Sequence, residues 1–512
     1  MSELLSRNVN RFWNVVVVPV AIAAGILGFV GGASIADTGF QSSNPALLGA
    51  PASLTNDLWF NIYFGNSRIG GSHITTVMGE YDNKPALVEQ SETSTTIIAF
   101  GTPIEQHVTS NLWTDPSGVV PFYESVSIGS GGMATDVTVR FYTDHIDAVL
   151  VSGKSTTKKT VQIPPGVRVT ANDFAQGIWT DKSVTLGQEF KQATFNPVTL
   201  KLDTYTIKVV GTGLSISDPV LGSVENLNQC QVVGPEGEMT VYQDAHGIPV
   251  KIEMPAGLVM RRDFAKESAG ADTTLGAGPF RGAVYVPPVD FATASAVEQK
   301  GASIEKPRDC RKLKVEVTAP EAGTKVYTIT SIVPKPTTTT VKELASNKTL
   351  APMLANEAYL SLDSEAVKAR AAKLRGKSDK VYDLVMKTRS WVHLTMHPTA
   401  SFGLPRSAAS VLTDPRGVCR DYAILYAALA RAQGIPTRLC SGVVAFRDKF
   451  YYHAWAESFV GGSIGWLPVD PTMEGRVVDA THIVINRGDP VSIYELVGAI
   501  GRVKVKVLEV GY

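Results

Sequence analysis

Cys419, His453 and Asp470 have the residue types and the chain order of a nucleophile, a base and an orienting acid. Cys419 stands in Gly417-Val418-Cys419-Arg420-Asp421-Tyr422-Ala423, where a helix is expected to begin. Tyr422, Leu425, Tyr426 and Leu429 follow at helical spacing, Gly434 stops the helix, and Pro436 prevents it from resuming. A thiol attacks only as the thiolate, and its ordinary pKa is about 8.5. At a helix N-terminus the positive end of the dipole lowers that value. The unpaired N–H groups of the first turn point outward, where one could meet a developing oxyanion. Ala423, Ala427, Ala428 and Ala430 beside the larger apolar residues make this a buried central helix, a rigid base for the nucleophile.

The other two residues need strands. Thr437 to Phe446 reads as one strand, Arg447-Asp448-Lys449 as a turn, and Phe450 to Val460 as a second strand. Gly461-Gly462 is a two-residue hairpin signal, and Ile464 to Asp470 is the return strand. With those glycines as the central turn residues, His453 and Asp470 are directly opposed on one face, their Cβ atoms ~5 Å apart. That arrangement suits a carboxylate that orients an imidazole and fixes its tautomer.

Each residue also has an ordinary reading. A lone cysteine is usually a buried small hydrophobe. Cys440, mid-strand among apolar neighbours, is such a case and is given no role. A lone strand histidine is usually structural. Three suitable residues in compatible local contexts, within about fifty positions, argue for a site rather than chance. Arg420 and Asp421 read as a helix-start charge pair, Glu457 as a solvated strand residue, and Trp455 and Trp466 as core around the site. His393 and His397 have i, i+4 spacing, but Pro398 follows at once, so they read as helix-end histidines.

Gly417-x-Cys419-x-Asp421-Tyr422-Ala423, Ala430 to Arg438, Tyr452-His453-Ala454-Trp455-Ala456-Glu457 and Trp466-x-x-Val469-Asp470-Pro471-Thr472 together resemble the bacterial transglutaminase-like superfamily. The resemblance runs from about Asn356 to about Ile485. It takes in the paired helices before the site and the Asp479-Ala480-Thr481-His482-Ile483 strand after it. It implies a papain-like α+β fold and a Cys-His-Asp triad carried by Cys419, His453 and Asp470, with no metal or organic cofactor. The expected reaction is attack of the Cys419 thiolate on a peptide or carboxamide carbonyl. Water (peptidase or amidase) or an amine (acyl transfer) then resolves the thioester. Many relatives have Thr-Glu-His after the cysteine where this chain has Arg420-Asp421-Tyr422, which points to a different substrate subsite. The alternative is a non-catalytic scaffold that uses its β-rich part to hold a partner at the membrane.

The remaining chain sets the frame. At 512 residues it is too long for one ordinary core. Lys+Arg 48 against Asp+Glu 48, with no long basic run, excludes a nucleic-acid footprint. Four cysteines without a Cys-x-x-Cys pair make neither a disulfide scaffold nor a zinc cluster. Cys230 and Cys310 are either bridged or two unpaired thiols. His73, His107, His145 and His246 are scattered without metal-ligand spacing.

Val15 to Ala36 carries no charge and is long enough to cross a bilayer as a helix. Arg7 and Arg11 before it place the N-terminus in the cytoplasm and the bulk outside, in the periplasm or at the cell surface. The rival is a signal peptide cleaved after Ser34-Ile35-Ala36, which secretes the protein; the length of the apolar run favours an anchor.

The expected class is therefore α+β: an N-terminal transmembrane helix, a β-rich antiparallel middle and a C-terminal papain-like transglutaminase-like domain. The boundaries are 1–36 anchor or signal, 37–56 tether, 57–288 β-rich with a split near 155–170, 289–345 linker with short strands, 346–490 transglutaminase-like domain, and 491–512 C-terminal strand. The expected partners are a protein or peptide substrate and the membrane.

Overall fold

Alternation of apolar and polar residues builds the first half of the molecule. In His145–Ser152 every second side chain is buried, the pattern of a strand with one face on the core. The computed structural model describes residues 56–99, 102–130, 133–153, 155–171, 185–235, 237–245, 247–264, 294–319, 323–357, 359–399, 406–475, 478–488 and 499–512. The anchor and tether expected before Asn56, and His246, lie outside these residues. No described helix is long and apolar enough to cross a membrane.

Between Asn56 and Arg262, fourteen strands form one antiparallel sheet. Eight follow one another from Asn56 to Gln162, and six more run from Glu189 to Arg262. The two arms join where Asn56–Phe64 pairs with Leu258–Arg262, Ile62 opposite Met260. The outer edges are bridged as well. Val169, beyond the last strand of the first arm, bridges to Ala193 in the edge strand of the second. Phe141 meets Phe195 edge-on at 6.2 Å between the arms. His73, His107 and His145 lie beside Asp57, Glu92 and Asp144 at 2.7, 3.4 and 2.7 Å, as surface histidines do.

The second sheet carries the site. Its strands are β1 (Val297–Gly301), β2 (Lys312–Ala319), β3 (Gly323–Thr330), β4 (Thr437–Phe446), β5 (Lys449–Gly461), β6 (Gly465–Val469), β7 (Ile483–Gly488) and β8 (Lys504–Gly511). The order is β3-β2-β8-β1-β5-β4-β7, with β6 also on β5. The short strands expected within 289–345 and the strand expected within 491–512 therefore extend the sheet that holds His453. Among the described residues, five helices accompany it: α1 (Val341–Ala345), α2 (Glu365–Arg375), α3 (Val381–Thr395), α4 (Ala408–Thr413) and α5 (Cys419–Ala432). Every residue of α5 from Cys419 to Arg431 is buried, so this helix is the spine of the domain. The Tyr426 and Ser458 hydroxyls lie 2.7 Å apart and tie α5 to β5, while Arg431 Nε donates to the Thr437 carbonyl at 2.8 Å.

The two halves touch. The Tyr359 hydroxyl, buried, donates to the Val198 carbonyl. Ser152 Oγ reaches Ser410 Oγ of α4 at 3.5 Å. Cys230 and Cys310 are both buried free thiols, which decides between the two alternatives for them.

Candidate active site

Cys419 is the first residue of α5. The turn before it is shaped by Asp421, whose carboxylate accepts from the Val418 N–H at 3.0 Å and so caps the helix start. Gly417 is required there, because a Cβ would run into the Asp421 side chain. Arg406, buried, donates to the Asp414 carbonyl at 3.1 Å and to the Arg416 carbonyl, which ties the approach loop down. Arg420 and Asp421 are a pair only at 4.0 Å; the main work of Asp421 is the cap.

His453 lies mid-β5, and Asp470 follows the end of β6. The expected direct opposition of the two does not occur. The register pairs Ala456 with Val469 and Glu457 with Pro468, two residues away from the register of a two-residue turn. The reason lies in the turn, where Gly461, Gly462 and Gly465 all take positive φ and the loop is longer. A slip of two keeps the same face inward. Asp470 therefore still reaches His453, and Nε2–H donates to Oδ2 at 2.8 Å.

The other half of Asp470 is fully used. Its Oδ1 accepts from the Thr472 N–H at 2.8 Å and from the Thr472 hydroxyl at 2.6 Å. The turn is braced from α3, where His393 Nδ1 donates to the Pro471 carbonyl at 3.0 Å and Arg389 donates to the Met473 carbonyl. His393 is thus a helix-end histidine with a tertiary contact, while His397 is exposed.

His453 and Cys419 have no exposed surface. Burial opposes charge on His453, but the Asp470 carboxylate outweighs it, with Cys419 adding to the effect, and pushes the imidazole up to about 9. Its Nδ1 is buried without an aligned hydrogen bond. Burial also opposes ionisation of Asp470, yet His453 and His482 hold it well below the usual carboxylate range.

His482 was not singled out in the sequence. Its Nε2 lies 3.3 Å from Asp470 Oδ2, so one carboxylate oxygen serves two imidazoles. Gly442 makes the room. It lies opposite both His453 and the start of β7, and a Cβ there would strike the Ile483 carbonyl. Trp455 packs its ring edge-on to His482 at 5.2 Å, as core around the site. The signal was present in the sequence. Asp479-Ala480-Thr481 repeats the pattern of Asp470-Pro471-Thr472, and Asp479 Oδ1 accepts from Thr481 as Asp470 does from Thr472.

Among the described residues, His453, Asp470 and His482 bring three ligand-type atoms within 4.8 Å of one another. The 2.8 Å between His453 Nε2 and Asp470 Oδ2 is a hydrogen-bond distance. Two ligands on a tetrahedral ion with bonds of ~2.0–2.1 Å stand roughly 3.3 Å apart. The His453–Asp470 spacing fits proton sharing.

Glu457 is not a solvated strand residue. It is buried, and Arg438 Nε donates to it at 2.7 Å and Arg487 Nε at 3.1 Å. Arg438 in turn lies over the Trp466 ring at 4.1 Å. Cys440 is buried beside this cluster; burial first, then Glu457, pushes its thiol far up, so it stays protonated.

Residues 368–471 match the transglutaminase-like superfamily model, and they contain Cys419, His453 and Asp470. This part of the chain is a transglutaminase-like domain. Uncharacterized proteins of Mycobacterium tuberculosis and Mycobacterium leprae are 36% identical over 90 residues and 33% identical over 85 residues. Those stretches are 15% of this chain in both cases, and 28% and 29% of the relatives. The chain thus spans under a third of the length of the curated relatives it matches. Among solved structures, a candidate cysteine protease from Cytophaga hutchinsonii is 21% identical, with a TM-score of 0.26, over 39% of this chain and 74% of that one. A candidate protease from Parabacteroides distasonis is 11% identical, with a TM-score of 0.21, over 78% of this chain and 70% of that one.

Proposed function

We propose that the chain is a membrane-anchored, extracytoplasmic cysteine enzyme that acts on peptide or carboxamide bonds. The observation that carries this reading is the buried His453 ring, fixed by Asp470 at 2.8 Å through Nε2, which leaves Nδ1 to serve the Cys419 thiol. His453 takes the thiol proton, and Cys419 Sγ attacks the carbonyl carbon. The first-turn N–H groups of α5 face the oxyanion. Collapse of the tetrahedral intermediate breaks the C–N bond, and His453 returns the proton to the departing amine. Water or a second amine, deprotonated by His453, then attacks the thioester and restores the thiol. Hydrolysis of peptide or cell-envelope amides is the favoured outcome. The uncharged run from Val15 to Ala36, with arginines before it, supports the anchor and the outward orientation. The β-rich half is read as a platform that presents the enzyme, or a bound partner, outside the membrane.

The test is iodoacetamide labelling of the whole detergent-solubilised protein from about pH 5 to pH 9, comparing wild type with Cys419→Ala, His453→Ala and Cys440→Ala. Fast labelling of Cys419 below neutrality that collapses without His453 is expected. Peptide and amine-donor substrates then separate hydrolysis from transfer. Labelling no faster than that of an ordinary thiol, and indifferent to His453→Ala, would replace the enzyme with the scaffold.

A further inference from the structure

His482 is buried, and both of its ring nitrogens face acceptors. Nε2 lies 3.3 Å from Asp470 Oδ2, while Nδ1 lies 3.2 Å from the Asp479 carbonyl oxygen and 3.4 Å from Asp479 Oδ1. An imidazole that donates from both nitrogens is the imidazolium. A buried cation persists only when it is paired, and here two carboxylates flank it. Asp479 is held in turn by Arg308, whose Nη1 lies 2.8 Å from Oδ2. Arg308 comes from the segment between β1 and β2, outside the matched stretch 368–471. Backbone contacts fix that segment, since the Ala480 N–H donates to the Cys310 carbonyl at 3.0 Å.

A line of alternating charge results: Arg308, Asp479, His482, Asp470, then His453 beside Cys419. The titratable and charged groups around His482 are Asp470 after β6, Asp479 before β7, His453 on β5 with its ring centroid 6.0 Å away, and Arg308 and Cys310 from the segment before β2. Cys419 of α5 adjoins His453.

We propose that His482, held by Asp479 and Arg308, is a positioning residue: a fixed positive charge that shares Asp470 with His453 and thereby sets the pH window in which the Cys419–His453 pair is charged. This rests on the reading of Cys419, His453 and Asp470 given above. A cation beside His453 disfavours a second one, so His482 makes His453 release its proton at a lower pH than Asp470 alone would dictate. The same cation keeps Asp470 ionised. Burial opposes the charge on His482, but Asp479, followed by Asp470, pushes it up to about 9, in line with the geometry.

The test uses the whole protein and two readouts. In ¹⁵N-histidine spectra, the His482 ring is expected to remain doubly protonated at about pH 7.5, a full unit above the ordinary histidine value of about 6.5. The pH profile of Cys419 alkylation is then compared in wild type, His482→Gln and Asp479→Asn. Glutamine keeps a donor for Asp470 but carries no charge. It is expected to move both limbs of the profile upward by about one to two units, as loss of a charge ~6 Å away predicts at an effective dielectric of about 20. Asp479→Asn is expected to let His482 lose its proton at lower pH, which adds an ionisation to the profile. A neutral His482 ring at that pH overturns the proposal. So does a His482→Gln protein that is slower but has the wild-type profile, since a hydrogen bond alone would then suffice. Where His482→Gln does not fold, the wild-type ring spectrum and Asp479→Asn decide. An unactivated Cys419 in wild type would defeat the enzymatic reading, and the ring spectrum would still decide the charge on His482.

Discussion

The Ile483 carbonyl occupies the space that a side chain on Gly442 would need. That relationship lets β7 approach β4 beside His453, across a shift in register between Ser441 and Gly442. Gly442→Ala is expected to push β7 outward, withdraw His482 from Asp470 and destabilise the fold by about 1–3 kcal/mol, the usual range for overpacking. Thermal or denaturant melts check the stability, and the alkylation rate of Cys419 checks the site.

Asp470→Asn replaces an acceptor of two imidazole donors by an amide that can itself donate. The tautomer and orientation of His453 are then no longer fixed. Activity is expected to fall by up to about 10⁴-fold, as in other triads that lose the carboxylate. Substrate turnover and the rate of Cys419 alkylation near neutrality are the measurements, with circular dichroism to show that the fold persists.

Stability is expected to peak in mildly acid solution. Asp470 is held well below the usual range by His453 and His482 against the opposition of burial, and Asp479 is held at about 2 by His482 and Arg308 against the same opposition. Carboxylates depressed in the folded state stabilise it above their unfolded pKa of about 4, and that stability is lost as pH falls toward 2. His453 and His482, both raised to about 9, stabilise the fold below the unfolded value of about 6.5, and that stability fades as pH rises from there through 9. Melting temperature against pH should show a plateau from about pH 4 to 6.5 with a decline on both sides. A plateau extending past pH 9 would contradict the charged imidazoles.

Of the four thiols, Cys419 is expected to be the one that alkylates near neutrality. Burial pushes Cys230 up to about 11, and it raises Cys310 and, most of all, Cys440, which Glu457 raises further. Cys419 is itself without exposed surface, so small reagents should outpace bulky ones at this residue. Peptide mapping after brief treatment with iodoacetamide, and separately with a dye maleimide, checks both statements.

The helix that begins at Cys419 was legible because its signals are local: Tyr422, Leu425, Tyr426 and Leu429 mark a buried face and Gly434, at positive φ, follows its end. Thr437 to Phe446 was read as a strand with the bounds that β4 has. The blocks that hold Cys419, His453 and Asp470 resemble the matched family for the same reason, since each is compact and local. The turn at Gly461 was not, because three glycines within five residues permit several loop lengths and the backbone choice among them is tertiary. Glu457 was misread because its partners, Arg438 and Arg487, come from β4 and β7, and alternation within one strand cannot show that the outer face is covered. Arg308 lies 171 positions from Asp479, and no local pattern links them; only the closing of the sheet does.

The place of β8 carries a consequence for how the protein is made. It lies between β2 and β1, antiparallel to one and parallel to the other, with Val315 opposite Val507 and Gln299 opposite Val505. β2 and β3 therefore join the sheet of His453 through a strand translated long after both. While the ribosome is still short of Lys504, the Arg308 end of the charge line has no completed sheet behind it. The nascent chain can carry Cys419, His453 and Asp470 before β8 has closed the sheet behind Arg308.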